Sequence, residues 1–141
     1  MLSTSGPGGS WVSEAVWHYW GATGGGISAS NPIPTWQQGM DTTTNQGSTT
    51  MRNYPDVAMC ALNLWIVRFD GSNKDFSLQW AMAGTSAAAP LWAGFMALVN
   101  QQAAASGQPS VGFINPAIYA IGRGSNYTSC FHDITDRKSV V

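Results

Sequence analysis

From Ala87 to Val99 the chain reads AAAPLWAGFMALV, apolar nearly all round and without a charged group. A helix of that composition has no face to offer water, so burial on most sides is expected. Gly94 lets it pack tightly against a neighbour, Asn100-Gln101-Gln102 marks its exit toward solvent, and Gly107 is its natural stop. Strand-like segments precede it, and a buried helix behind strands implies a layered α/β core. At 141 residues the chain is one domain's worth, long enough for a sizeable core.

The residues leading into that helix carry the chemistry. Gly84-Thr85-Ser86-Ala87-Ala88-Ala89-Pro90 is a small-residue turn that presents a serine where backbone N–H groups lack intrahelical partners and the helix dipole is positive. An oxyanion forming beside Ser86 meets donors already aimed at it. Gly84 permits a sharp turn, the alanines permit close approach of a substrate backbone, and Pro90 is expected near the first turn, where a lost N–H costs little. The simpler use of the same residues is an N-cap, Ser86 or Thr85.

Before the turn, Ser10 to Tyr19 suits two helical turns, Gly24-Gly25-Gly26 breaks regular structure, and Asn31-Pro32-Ile33-Pro34 keeps the chain extended. Thr42 to Thr50 reads as a mobile polar surface loop. Asp56 to Ala61 suits a short buried parallel strand, with Asp56 as a structural hydrogen-bond acceptor more than a triad carboxylate. Leu64 to Phe69 and Phe76 to Met82 suit a hairpin around Gly71-Ser72-Asn73-Lys74. A second helix is expected from Asn115-Pro116, as cap and first-turn proline, to about Gly122.

Composition excludes several classes. Only 9% of residues are charged and the net charge is −1, so no basic stripe recommends a nucleic-acid partner. A surface of Gly, Ser, Thr, Asn and Gln instead suits a secreted protein and changes charge little in acid. Met1 to Gly9 has no basic segment followed by an apolar run, so any export signal is expected outside this chain. The longest apolar run, Leu91 to Val99, is about half of the ~20 residues a membrane span needs. Cys60 and Cys130 suit either one disulfide or two apolar thiols, and without a CxxC no structural zinc is expected.

Landmarks recur in a specific order. Glu14 to Trp17 precedes Gly24-Gly25-Gly26-Ile27-Ser28, then Pro34 with Trp36-Gln37, then Tyr54-Pro55-Asp56-Val57. The run Ala83 to Gly94 follows, then Asn100-Gln101, the run Gly112 to Tyr119, and His132-Asp133-Ile134-Thr135. In that order they resemble the sedolisin family, serine-carboxyl peptidases of subtilisin-like fold, over essentially residues 10 to 135. Subtilisins share the Gly-Thr-Ser-Ala-x-x-Pro turn, but they usually continue with a histidine where this chain has Leu91-Trp92, and they lack His-Asp-Ile-Thr.

The resemblance implies an α/β, subtilisin-like three-layer fold with a mostly parallel sheet, of which residues 1–141 form a C-terminal part of the peptidase domain. It implies an endopeptidase acting on polypeptides, with Ser86 as nucleophile, a glutamate base held by an aspartate one helical turn away, and a further aspartate at the oxyanion. A carboxylate base with a pKa near 4 stays usable in acid, where a histidine near 6.5 is protonated. The resemblance also implies one Ca²⁺ site, beginning with the Asp133 carboxylate and the Ile134 carbonyl, hard oxygens that suit this ion.

The base pair itself is missing. Glu14 is the only glutamate, and four residues on stands His18 in place of an aspartate. The oxyanion Gly-Asp-x-Gly would lie upstream of Met1, and Asp136 to Val141 replaces the stretch expected to complete the calcium site. The expectation is therefore a secreted, acid-acting peptidase portion, inactive alone, whose partner is the remainder of its catalytic domain. Glu14 and His18 on one helix face are a weaker base for Ser86, and His132 reads as structural. Alternatives are a non-catalytic relic used for binding or regulation, a subtilisin-type fragment, and a carbohydrate-binding module built on Trp11, Trp17, Trp20 and Trp36, which otherwise serve as anchors.

Overall fold

The computed structural model describes residues 2–18, 21–40, 46–68 and 77–133. Its first element is a ribbon of β1 (Leu2–Thr4) and β2 (Trp11–Glu14), antiparallel, with Leu2 opposite Glu14 and Ser3 opposite Ser13. The helix expected over residues 10 to 19 does not form in its described part. The Ser5–Gly9 turn folds the chain back, the Ser5 N–H reaching the Ser10 carbonyl at 2.9 Å, and Trp11 and Val12 suit a strand once a partner lies alongside.

The second ribbon pairs β3 (Gly26–Pro32) with β4 (Met51–Tyr54), Ile27 lying opposite Asn53. The triple glycine therefore ends by opening a strand. The polar segment expected over 42–50 is described only from residue 46. A cis peptide bond joins Tyr54 to Pro55. Residues 56–61 are irregular, where a parallel strand was expected.

The third ribbon is β5 (Leu64–Arg68) with β6 (Ser77–Met82), antiparallel as expected, its connecting turn lying outside the described residues. Then come helices α1 (Thr85–Ala105), α2 (Asn115–Arg123) and α3 (Tyr127–Cys130). Gly107 ends α1 as its sequence promises: at φ 69° it sits in the left-handed region, its N–H bonded to the Ala104 carbonyl and that of Gln108 to Ala103.

The architecture is mixed α/β, but each sheet is a two-stranded antiparallel ribbon, and among the described residues no parallel sheet is present. The expectation of a thoroughly buried α1 also needs correction. Only Ala87 is buried, whereas Leu91, Phe95 and Leu98 are 39%, 47% and 63% exposed. The ribbons do not form the layer that would cover that face. Burial concentrates in two places, Ala61 and Leu62 beside the start of α1, and Gln37 with Tyr119. Among the described residues, no helix is long and apolar enough to cross a membrane.

Candidate active site

Ser86 is the second residue of α1, and it is exposed. The cap reading fails, because the helix is capped by Gly84 and no side chain bonds its first turn. Gly84 holds φ 142° and ψ 148°, a conformation rarely open to other residues. Its N–H donates to the Ala61 carbonyl at 2.8 Å, while its own carbonyl accepts the Ala87 N–H at 3.0 Å. The Ser86 hydroxyl has no hydrogen-bond partner among the described residues. It stands free beside the N–H groups of Thr85 and Ser86, which helix geometry leaves without intrahelical partners.

Pro90 falls deeper in the helix than expected, since α1 begins at Thr85. A helical residue at 90 would give its N–H to the carbonyl of Ser86, four residues back, and proline has none to give. The backbone of the candidate nucleophile thus lacks one of its ordinary helical restraints. What holds this end of α1 comes from the side: Gly84 bonds to Ala61, and the Trp92 indole N–H donates to the Ala58 carbonyl at 3.3 Å.

The segment supplying both carbonyls begins at Asp56, where the structure builds a polar cluster that sequence reasoning did not assemble. Asp56 Oδ1 accepts the Tyr119 hydroxyl at 2.7 Å, and Oδ2 accepts Asn115 Nδ2 at 3.0 Å and the Arg52 guanidinium. Gln37 Nε2 donates to the Tyr119 oxygen at 2.6 Å and to the Asn53 carbonyl at 3.0 Å, while Gln37 Oε1 accepts the Asn53 N–H at 2.8 Å. Burial raises the Tyr119 phenol above its usual pKa, and donation to Asp56 adds to this. For Arg52 burial opposes the charge, but the bond and charge of Asp56 outweigh it and raise the pKa.

Asn115, expected as the α2 cap, is inside the helix, with Ile114 at the cap position, and its amide serves Asp56 instead. Asn115, Tyr119 and Arg123 recur at helical spacing on one face. Arg123 donates to the carbonyls of Trp36 and Gln38 at 2.9 and 3.2 Å, so the whole face is tied to the 34–38 turn and to Asp56. Asp56 is a structural acceptor, as expected. The signal for the cluster was present in the polar residues Arg52, Asp56, Asn115 and Tyr119 flanking Pro55 and Pro116, but their partners are far apart in sequence.

The other expected site residues do not gather around Ser86. Asp133 is exposed beyond α3, close enough to Tyr127 that its charge and hydrogen bond, after burial, raise that phenol's pKa. Ile134 lies outside the described residues. Among the described residues no group of three His, Cys, Asp or Glu side chains comes together to hold a metal. Asp133 offers the right donor chemistry for calcium but, even with one carbonyl, too few of the six to eight oxygens, so these residues alone do not fit the ion.

The Glu14–His18 helix face does not exist, because Glu14 ends β2 and the His18 ring engages the Val16 carbonyl at 3.2 Å. His132 stacks on Trp11, ring centres 3.9 Å apart and planes within 5°. Trp36 meets Phe113 edge-on at 5.1 Å, again as an anchor, while Trp20 lies outside the described residues. Cys60 and Cys130 are both free, the Cys60 thiol donating to the Leu62 carbonyl at 3.4 Å.

No family model matches the chain, and no solved structure does. Curated relatives do match. It is 36% identical to kumamolisin of Bacillus sp. (strain MN-32) over 130 residues, which covers 87% of this chain and 21% of that protein. It is 34% identical to human tripeptidyl-peptidase 1 over 107 residues, covering 69% of this chain and 18% of the other. With the probable tripeptidyl-peptidase SED4 of Arthroderma benhamiae it shares 35% identity over 85 residues, 60% of this chain and 13% of that one.

The class these relatives define is a family of serine-type peptidases. That family is the sedolisins, and over the matched stretch this chain belongs to it. The chain spans about one fifth of the length of kumamolisin and of human tripeptidyl-peptidase 1.

Proposed function

We propose that this chain is the nucleophile-bearing portion of an acid-acting, secreted serine-carboxyl endopeptidase. Ser86 Oγ attacks the scissile carbonyl of a polypeptide, and the Ser86 N–H at the start of α1 donates to the oxyanion. The proton passes to a carboxylate outside this chain, which hands it to the departing amine as the C–N bond breaks, and water then hydrolyses the acyl-enzyme to release the acid and restore the Ser86 hydroxyl. The observation that carries the reading is the exposed, unbonded hydroxyl of Ser86 on a first turn that uses no side-chain cap. The kinship with peptidases adds to it.

The uncovered apolar side of α1 supports a partner in the remainder of the catalytic domain, in a subtilisin-like layer over the helix. Calcium would join Asp133 and Ile134 only with oxygens from that remainder. Alone, the chain should have no appreciable activity, since base and oxyanion donor are each worth orders of magnitude.

The test is covalent trapping with the remainder supplied. A peptide aldehyde should trap Ser86 at about pH 4, where a carboxylate base is ionised, and fail with Ser86→Ala. Trapping strongest at neutral pH would favour a subtilisin-type mechanism and overturn the carboxylate base. No trapping at Ser86 at any pH would overturn this reading and leave a non-catalytic relic.

A further inference from the structure

The direction of the Ser86 hydroxyl is set by a turn whose outside supports converge on a segment with no regular structure of its own. Gly84 leans on the carbonyl of Ala61 and Trp92 on that of Ala58, so residues 57–61 carry both the start of α1 and its next turns. An irregular segment keeps its place through its ends. At the downstream end it runs into β5, and at the upstream end stands Asp56.

Two side chains, Asp56 and Gln37, are bonded to both β4 and α2, and Asp56, held by Arg52 of β4 and by Asn115 and Tyr119 of α2, is the one that adjoins residues 57–61. Tyr119 carries the linkage on to Gln37, and Gln37 back to the Asn53 backbone. Three donors converge on one half-buried carboxylate, and a carboxylate so held is fixed in position and rotamer.

We propose that Asp56 is a positioning residue for the Ser86 nucleophile. It fixes the upstream end of residues 57–61, whose carbonyls at Ala58 and Ala61 hold the first turns of α1 at the pitch that aims the hydroxyl. The proposal rests on the reading of Ser86 as nucleophile. Pro90 adds to the need for outside support, since it withholds from the Ser86 carbonyl the N–H that a helical residue at 90 would give.

The test compares the full wild-type chain with Asp56→Ala, Asp56→Asn and Tyr119→Phe. Hydrogen exchange is followed at the Gly84 amide, across β5–β6, and in the last turns of α1. With the remainder of the domain supplied, trapping of Ser86 by a peptide aldehyde is resolved into affinity and rate of bond formation. Asp56→Ala should speed exchange at Gly84 by about tenfold, leave β5–β6 and the end of α1 unchanged, and slow bond formation about tenfold with affinity preserved. Asp56→Asn, which keeps an oxygen for Tyr119, should fall between.

Unchanged exchange at Gly84 in Asp56→Ala would overturn the proposal. If that variant loses its fold, the milder Tyr119→Phe decides: faster exchange confined to Gly84 supports positioning, and a uniform rise at every probe overturns it. Local coupling to Gly84 without any trapping of Ser86 in the wild type would uphold the mechanical link and remove Ser86 as nucleophile, so the two readings fail separately.

Discussion

Ser86 contributes nothing to its own helix. A serine that caps α1 would cost about 1 kcal/mol on replacement by alanine, but here Gly84 occupies the cap and the hydroxyl is unbonded. Ser86→Ala should therefore change stability by no more than about 0.5 kcal/mol, read from a denaturant midpoint. A loss near the larger value would restore the cap. The residue-level reading of the sequence was right about the small-residue turn and wrong about Pro90. Helix start and proline position are coupled, and α1 begins two residues earlier than the apolar run alone indicates.

At the level of elements, α2 is held to the molecule chiefly by its polar face, and Tyr119 is the residue to probe. Replacing it with phenylalanine removes the hydroxyl that bridges Asp56 and Gln37, at a cost of about 1–3 kcal/mol near neutral pH. The phenol's pKa is raised in the fold, so above pH 10.0, its ordinary value, the folded state holds the proton more tightly than the unfolded one. Stability from this group is complete below that pH and is lost as pH rises through the raised value. Melting curves should therefore show wild type and Tyr119→Phe drawing together as the solution becomes strongly alkaline, and a constant gap would contradict the bridge.

Which elements were legible follows from where their stabilising partners lie. The α1 helix, its stop at Gly107 and the β5–β6 hairpin were readable because composition, left-handed glycine and sequential pairing are local signals. The helix expected over Ser10 to Tyr19 gives way to β2 because that stretch suits either form, and the deciding partner is Leu2–Thr4 across a turn. β4 is four residues long and pairs with β3 across a long polar segment, so nothing nearby announces it. The Asp56 cluster was illegible as a cluster for the same reason: Gln37, Arg52 and Tyr119 meet only once β4 and α2 are in place.

On the scale of the whole molecule, apolar surface is left facing water. Leu91, Phe95 and Leu98 recur at helical spacing along one side of α1, and Trp65 on β5 is 73% exposed. Contiguous surface of this kind drives association. The isolated chain should sediment as concentration-dependent oligomers, and Leu98→Glu should shift it toward monomer while leaving its helical circular dichroism in place. A wild type that stays monomeric at all concentrations would show the stripe to be covered.

The indole of Trp11 lying flat on the imidazole of His132 has a topological consequence. It stacks two side chains from opposite reaches of the sequence face to face, so the native path comes back toward its early part. A covalent bridge joining those two reaches would forbid the denatured coil its widest excursions. In the chain-entropy account such a bridge over a loop of this size is worth about 4–5 kcal/mol.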